Sequence, residues 1–269
     1  TQKAIEGFNK YLQSFSNGLH ALKSHFYLAQ SYVKNNESEK SIPHYTYVTS
    51  QSQSEFSEES LSKLSQIYLE KEDWFNAMPL LEKLEIEANY PQNTIYAQSN
   101  LMKGYYEAEE YKKAVEYAEK VLTTDKIEKT VEADAKIIIA RSAFKNGNFS
   151  TSEEFFNEVG KTATGELKAE TLYYDSFFKN ENKEYESSTK TVQKLISDYS
   201  AYKYWGVKSY VIMAKNYYAL DDAYQATYIL ENIIKNFTQY EDIIEEAKSE
   251  LRTIKNNEAK TNESVTPQK

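Results

Sequence analysis

Apolar residues in this chain recur at offsets of three, four and seven, the spacing that gathers side chains on one face of an α-helix. Two such stripes, joined by a short polar break, form a unit, and the unit repeats. A small or slender residue marks the middle of each first stripe: Ala29, Ser65, Met102, Ala140, Ser176 and Ala214. Successive intervals between these anchors are 36, 37, 38, 36 and 38 residues. One residue before them stand Leu28, Leu64, Leu101, Ile139, Asp175 and Met213, and three after them Tyr32, Tyr68, Tyr105, Ala143, Lys179 and Tyr217. Twelve after each anchor comes another small residue: Ser41, Ala77, Ala114, Ser152, Ser188 or Ala226. Mostly larger apolar residues follow at sixteen and nineteen, from Tyr45 and Val48 in the first unit to Leu230 and Ile233 in the last. Small residues let two helices approach closely while large ones fill the groove beside them. Each unit is therefore expected to be a helical hairpin, and the chain all-α.

The breaks are polar or glycine-bearing, as in Asn35–Ser38, Glu70–Asp73 and Asn146–Asn148. An aromatic residue often sits nine after the anchor (Trp74, Tyr111, Phe149, Tyr185), where it would wedge the start of the second helix against the first. Pro43 and Pro79 share one repeat position. Proline removes a helical hydrogen bond and crowds the preceding turn, so both second helices are expected to begin late or to bend there. The fifth unit departs most, with Asp175 and Lys179 at apolar positions, and is expected to pack most loosely or in a shifted register.

The run Leu-Ala-x-x-Tyr at 28–32, with Ser41 twelve after Ala29 and aliphatic residues beyond, resembles the tetratricopeptide repeat. The resemblance covers residues 1 to about 236, at a period slightly above the usual 34. It implies a right-handed superhelical solenoid of antiparallel hairpins with 13–14 helices. A partial repeat occupies 1–17 and full repeats about 18–54, 55–91, 92–127, 128–164, 165–199 and 200–238. In the partial repeat Ala4, Phe8 and Tyr11 match the small, large and apolar positions of a second helix, so the chain is expected to be the C-terminal part of a longer protein. A capping helix is expected over 239–256 through Ile243, Ile244, Ala247 and Leu251, and a disordered tail over 257–269. More closely, residues 8–12 with 19–29 resemble envelope tetratricopeptide proteins of the YbgF or BamD sort. Residues 204–214 with 224–230 resemble the C-terminal part of long Bacteroidetes envelope proteins. That resemblance implies a periplasmic or outer-membrane location, the alternative being the cytoplasm.

Composition narrows the function classes. There are 41 acidic residues against 32 Lys+Arg, a net charge of -9, which disfavours nucleic acid as a partner. No apolar run is long enough to span a membrane. Cysteine is absent, so there is no thiol nucleophile, disulfide or thiolate metal site. Only three histidines occur, His20, His25 and His44. His25 and His44 fall on facing helices of one hairpin, but no further ligand accompanies them, so they are read as structural or solvated. Paired acids such as Glu58-Glu59 and Glu153-Glu154 suit a solvated helix face. The expectation is no enzyme, no cofactor and no metal.

The family resemblance places the first helix of each repeat on the concave side. Positions one and four after the anchors, and three before them, then give a mixed candidate groove: Phe26, Gln30, Gln66, Lys103, Tyr106, Arg141, Phe144, Tyr173, Phe177, Lys215 and Tyr218. Lys103 and Arg141 beside Tyr106 and Phe144 form a central patch suited to a carboxylate or an extended peptide. The lysine- and asparagine-built clamp of receptors for Glu-Glu-Val-Asp-like tails is lost, since Phe26, Gln30, Ser62 and Gln66 hold those sites. The leading expectation is a protein–protein interaction scaffold in a bacterial envelope assembly, taking a protein or peptide segment. The alternatives are a structural spacer or dimerisation module, self-associating through its N-terminal repeat face, and a carbohydrate or peptidoglycan binder using Tyr96, Tyr106, Tyr173 and Trp205.

Overall fold

The structure is a computed structural model and describes residues 2–265. It is built from α1 (Gln2–Ser14), α2 (Ala21–Lys34), α3 (Ser38–Ser50), α4 (Ser57–Leu69), α5 (Trp74–Glu87), α6 (Pro91–Glu107), α7 (Tyr111–Leu122), α8 (Lys129–Lys145), α9 (Phe149–Gly160), α10 (Gly165–Glu181), α11 (Tyr185–Asp198), α12 (Lys203–Ala219), α13 (Ala223–Asn236) and α14 (Glu241–Val265). No strand occurs among the described residues. Two compact units form, one up to Ser142 and one from Ala143, with the boundary inside α8.

In the first unit each helix from α1 to α7 packs on the next, and α4 also touches α6. In the second, α9 to α14 pack in the same sequential way, with further contacts of α12 to α10 and α14. The small positions explain why. All six anchors and all six residues twelve beyond them are fully buried. Where the closest approach is visible in detail, the Ser188 hydroxyl donates to the carbonyl of Ser176 at 2.7 Å. Large side chains close the space beside these contacts. Phe26, Tyr45, Val48, Leu64 and Ile67 form one core around Ala29, and Val211, Leu230, Ile233 and Ile243 another around Ala214 and Ala226. Truncating a buried leucine of this kind to alanine costs about 2–5 kcal/mol.

Every hairpin closes in the same way. The residue seven after each anchor has positive φ: Asn36 (59°), Glu72 (57°), Glu109 (58°), Gly147 (74°), Lys183 (63°) and Asp221 (64°). The next N–H reaches back to the carbonyl three after the anchor, as in Asp73 to Tyr68 at 2.9 Å and Glu184 to Lys179 at 2.8 Å. The left-handed residue itself donates one position further on, as in Glu109 to Tyr106 at 3.0 Å. These paired bonds satisfy the last carbonyls of the first helix and turn the chain into the second. Trp74, Tyr111, Phe149 and Tyr185 are each the first residue of their helix. Asp73, Asn148 and Asp222 cap theirs, accepting from the backbone N–H three residues on.

Four local expectations need correction. Neither proline delays its helix, the first of the two outcomes expected: Pro43 and Pro79 lie inside α3 and α5, on exposed positions where a carbonyl left without its helical donor is open to water. The fifth hairpin is neither loose nor out of register, since Ser176, Ser188, Val192 and Leu195 are fully buried. Its polar pair is satisfied internally: Lys179 meets the Asp175 carboxylate at 2.7 Å, and the Thr191 hydroxyl joins both. In α1 it is Ile5 that is buried, while Ala4 is exposed, because α1 packs only on α2. Finally, α14 does not stop near 256 but runs to Val265, through a stretch that holds no glycine or proline to end it. The rest of the expected tail, 266–269, lies outside the described residues.

Candidate functional site

A concavity of the first unit, about 630 Å³, lies where α6 and α8 pass the closure before α5. Trp74, Tyr106, Glu72 and Glu107 form its sides, with Ile137 and Ile138 behind them; Lys103, Asp134 and Arg141 complete it. Local structure sets each wall. Glu72 is the left-handed closing residue, and Trp74 follows at the first position of α5. The indole lies against Gly104, where an added Cβ would come within 2.9 Å of Trp74 Cε3 and 3.1 Å of Met78 Sδ. Glycine at 104 is thus what lets the ring lie on α6. Tyr106 is half-buried and its ring stands 5.7 Å from that of Tyr111.

The charges of this site do not behave as free groups of one sign. The Lys103 ammonium sits 2.5 Å from the Asp134 carboxylate, and Arg141 is likewise engaged by neighbours. Glu72 and Glu107 are exposed and make no ion pair among the described residues. The Lys103–Asp134 contact has counterparts. Gln30 donates to Glu59 at 2.7 Å, and Lys215 to Glu246 at 3.0 Å. In each case the residue one after an anchor meets an acid about thirty residues on, on the next first helix. These positions clip neighbouring repeats together.

A second hollow of about 500 Å³ shares Trp74 and Glu107 with the first. Phe75, Met78 and Pro79 line it, with Glu82, Glu110 and Lys113 at its edge. Phe75 is 87% exposed. Lys113 pairs with Glu110 at 2.7 Å, and Glu82 accepts the hydroxyl of Tyr105, whose pKa is raised by burial and then by that bond.

The other candidate groove residues are placed differently. Phe26 is buried, its ring 4.8 Å from Phe56, and lines no open surface. Gln66 is exposed and donates to Glu70 at 3.1 Å. In the second unit Phe144 and Phe177 join an edge-to-face aromatic cluster, 5.0 Å apart, with Tyr174 4.8 Å from Phe144. Tyr173 is buried, 5.5 Å from Trp205, so neither ring is a free sugar-stacking face. Lys208 stands 5.4 Å over Tyr173 and 5.2 Å over Tyr204. Burial pulls its pKa down against the opposing pull of Asp242 and Glu246. Tyr218 packs at the margin of the core around Ala214. Sequence reasoning missed Trp74, Glu72, Glu107 and Asp134 as site residues. Asp134 and Glu59 share a position six before an anchor, and that register was the available signal.

His25 and His44 do approach, with their Nδ1 atoms 2.8 Å apart across α2 and α3. Tyr47 stacks on His25 at 3.9 Å and Tyr32 on His44 at 5.7 Å. Burial, then the neighbouring imidazole, holds the His44 pKa down at about 4; burial also lowers that of His25. No cluster of three or more His, Cys, Asp or Glu side chains suited to a metal occurs among the described residues. No described helix is long and apolar enough to cross a membrane.

No family model matches the sequence, and no curated relative matches it. Solved structures do. The C-terminal part of a TPR repeat-containing protein from Cytophaga hutchinsonii aligns with 91% of this chain and 93% of its own, at 14% identity and TM-score 0.55. A signal-transduction ATPase with a tetratricopeptide repeat sensor from Pyrococcus horikoshii aligns with 98% of this chain and 47% of its own, at 16% identity and TM-score 0.53. At such identities the likeness concerns the fold alone. With its repeated hairpins, buried small positions and these neighbours, the chain has the tetratricopeptide-repeat fold.

Proposed function

We propose that this protein is a protein–protein interaction scaffold that takes a segment of a partner protein in the α6–α8 concavity of its first unit. One observation carries the reading: a wide, open hollow whose walls combine an indole, a phenol and unpaired carboxylates on a rigid helical frame. Aromatic walls supply contact area at low entropic cost, and polar groups at the edge supply orientation. Nothing at the site resembles a catalytic constellation: Glu72 and Glu107 are exposed, Asp134 is paired with Lys103, and no nucleophile stands beside a base. The sequence resemblance to envelope proteins motivates a place in a bacterial envelope assembly.

A photo-crosslinking residue tests this. It replaces Tyr106 in one variant and exposed Lys112 of α7 in another, each in cells of the source organism. Crosslinking to one discrete partner from 106 and not from 112 supports the reading, and the partner's compartment tests the envelope assignment. Equal labelling from both positions, or none from 106, removes the concavity as the binding surface.

A further inference from the structure

The sign of the charge around Trp74 says what kind of segment fits. The two hollows that share this residue are edged by Glu72, Glu82, Glu107, Glu110 and Asp134, against Lys103, Lys113 and Arg141. Of the cations, Lys103 is held by Asp134 and Lys113 by Glu110. Of the acids, Glu72 and Glu107 are exposed and line the first hollow together with the Trp74 indole. Removing the two ion pairs from the count leaves carboxylates in excess, on a chain already at -9. An anionic ligand would meet repulsion here. A cation over the indole face gains from the ring quadrupole and from both carboxylates together. Beside it, Phe75, Met78 and Pro79 offer apolar surface, Phe75 almost wholly uncovered and Met78 half-buried.

Resting on the reading of this face as a protein-binding surface, we propose that its ligand is a basic segment. A lysine or arginine side chain lies over Trp74 between Glu72 and Glu107, and a neighbouring aliphatic side chain lies in the hollow beside Phe75 and Met78. This reverses the sign expected from Lys103 and Arg141 alone, because Lys103 is held by Asp134 and Arg141 is likewise engaged by neighbours.

Trp74 is its own reporter, since the chain has only one other tryptophan. In a Trp205→Phe background, checked by circular dichroism, Trp74 emission is followed while the full chain is titrated with acetyl-Gly-Lys-Leu-Lys-Lys-Leu-Lys-Gly-amide. The matched peptide carries Glu for every Lys. The basic peptide is expected to change the emission saturably, and added salt to weaken it. Glu72→Gln/Glu107→Gln is expected to weaken binding roughly tenfold; both side chains are exposed, so the fold is untouched. Binding of the acidic peptide in preference overturns the charge assignment while the binding surface stands, as does basic binding indifferent to the double variant. Failure of both peptides to perturb Trp74 removes the surface itself. If Trp205→Phe does not fold, the wild-type signal minus that of Trp74→Phe gives the same readout.

Discussion

Five of the six hairpin closures hold a side-chain-bearing residue in the left-handed region, and this carries a measurable energetic consequence. For an L-residue the left-handed conformation costs about 1–2 kcal/mol, because Cβ crowds the following carbonyl oxygen. Asparagine and aspartate recover part of this through local hydrogen bonds; glutamate and lysine do so less readily. Replacing glutamate by glycine removes the crowding but widens the unfolded ensemble, which returns about 0.5–1 kcal/mol. The balance for Glu109→Gly is a stabilisation of about 0.5–1 kcal/mol. Glu109 suits the test. Its side chain is exposed, at φ 58°, and lines neither hollow. The closing bonds at 3.0 Å to Tyr106 and from Glu110 at 2.9 Å to Tyr105 are made by backbone and survive the change.

Gly147→Ala is the converse experiment. At φ 74° an added Cβ meets no atom within 4 Å, so conformation alone opposes it. A loss of about 1 kcal/mol is expected. Urea unfolding followed by far-UV circular dichroism gives the midpoints. Because a repeat array need not unfold in one step, amide exchange across each closure is measured alongside. Glu109→Gly and Lys183→Gly should raise the midpoint, Gly147→Ala should lower it, and Asp221→Gly should move it least. A lowered midpoint for Glu109→Gly, or no change for Gly147→Ala, would refute the claim that these dihedrals limit hairpin stability.

Three further outcomes are expected. Because the His44 pKa is depressed to about 4 in the fold and the unfolded value lies near 6.5, the unfolded chain takes up protons first as pH falls. The His25–His44 contribution is therefore complete above about pH 6.5 and lost on descent towards pH 4; for these half-exposed groups, solvent screening limits the loss to about 1–2 kcal/mol. Urea midpoints at pH 7.5 and 4.5 test this, and the pH effect should shrink in His25→Gln/His44→Gln. Asp175→Ala should destabilise by about 1–2 kcal/mol, because it leaves the half-buried Lys179 without its carboxylate. Asp175→Leu/Lys179→Leu should be neutral or better, and a double variant as unstable as the single one would contradict that. Gly104→Ala should displace the Trp74 indole and red-shift its emission; unchanged emission and unchanged peptide binding would show that the ring position does not depend on this glycine.

The hairpins were legible because their cause is periodic. Twelve small or slender positions, two per repeat, are buried for one steric reason, and that reason leaves its mark at every recurrence in the sequence. The expectation failed at Asp175 and Lys179, where two wrong-looking residues cancel each other: polarity by position cannot show that an acid and a base one turn apart satisfy one another along with Thr191. Phe26 and Tyr173 failed for a related reason. A large aromatic residue on a first helix can fold back onto neighbouring rings, as Phe26 does onto Phe56, and its size decides this more than its repeat position.

The candidate site was half legible, and the missing half changes its meaning. Lys103, Tyr106 and Arg141 do come to one hollow, as the register implies. Sequence position could not show who neutralises whom. Gln30–Glu59, Lys103–Asp134 and Lys215–Glu246 join the same two positions on successive first helices. A contact repeated at that register belongs to the frame, since each repeat needs its neighbour to bury its apolar face. What the frame consumes is unavailable to a ligand. Arg141 is engaged by neighbours as well, and the exposed groups of the hollow outside that register, Glu72 at the closure and Glu107 at the end of α6, are acidic. Subtracting the periodic contacts from the groove thus isolates the groups free to act on a partner, and it reverses the sign of the partner they select.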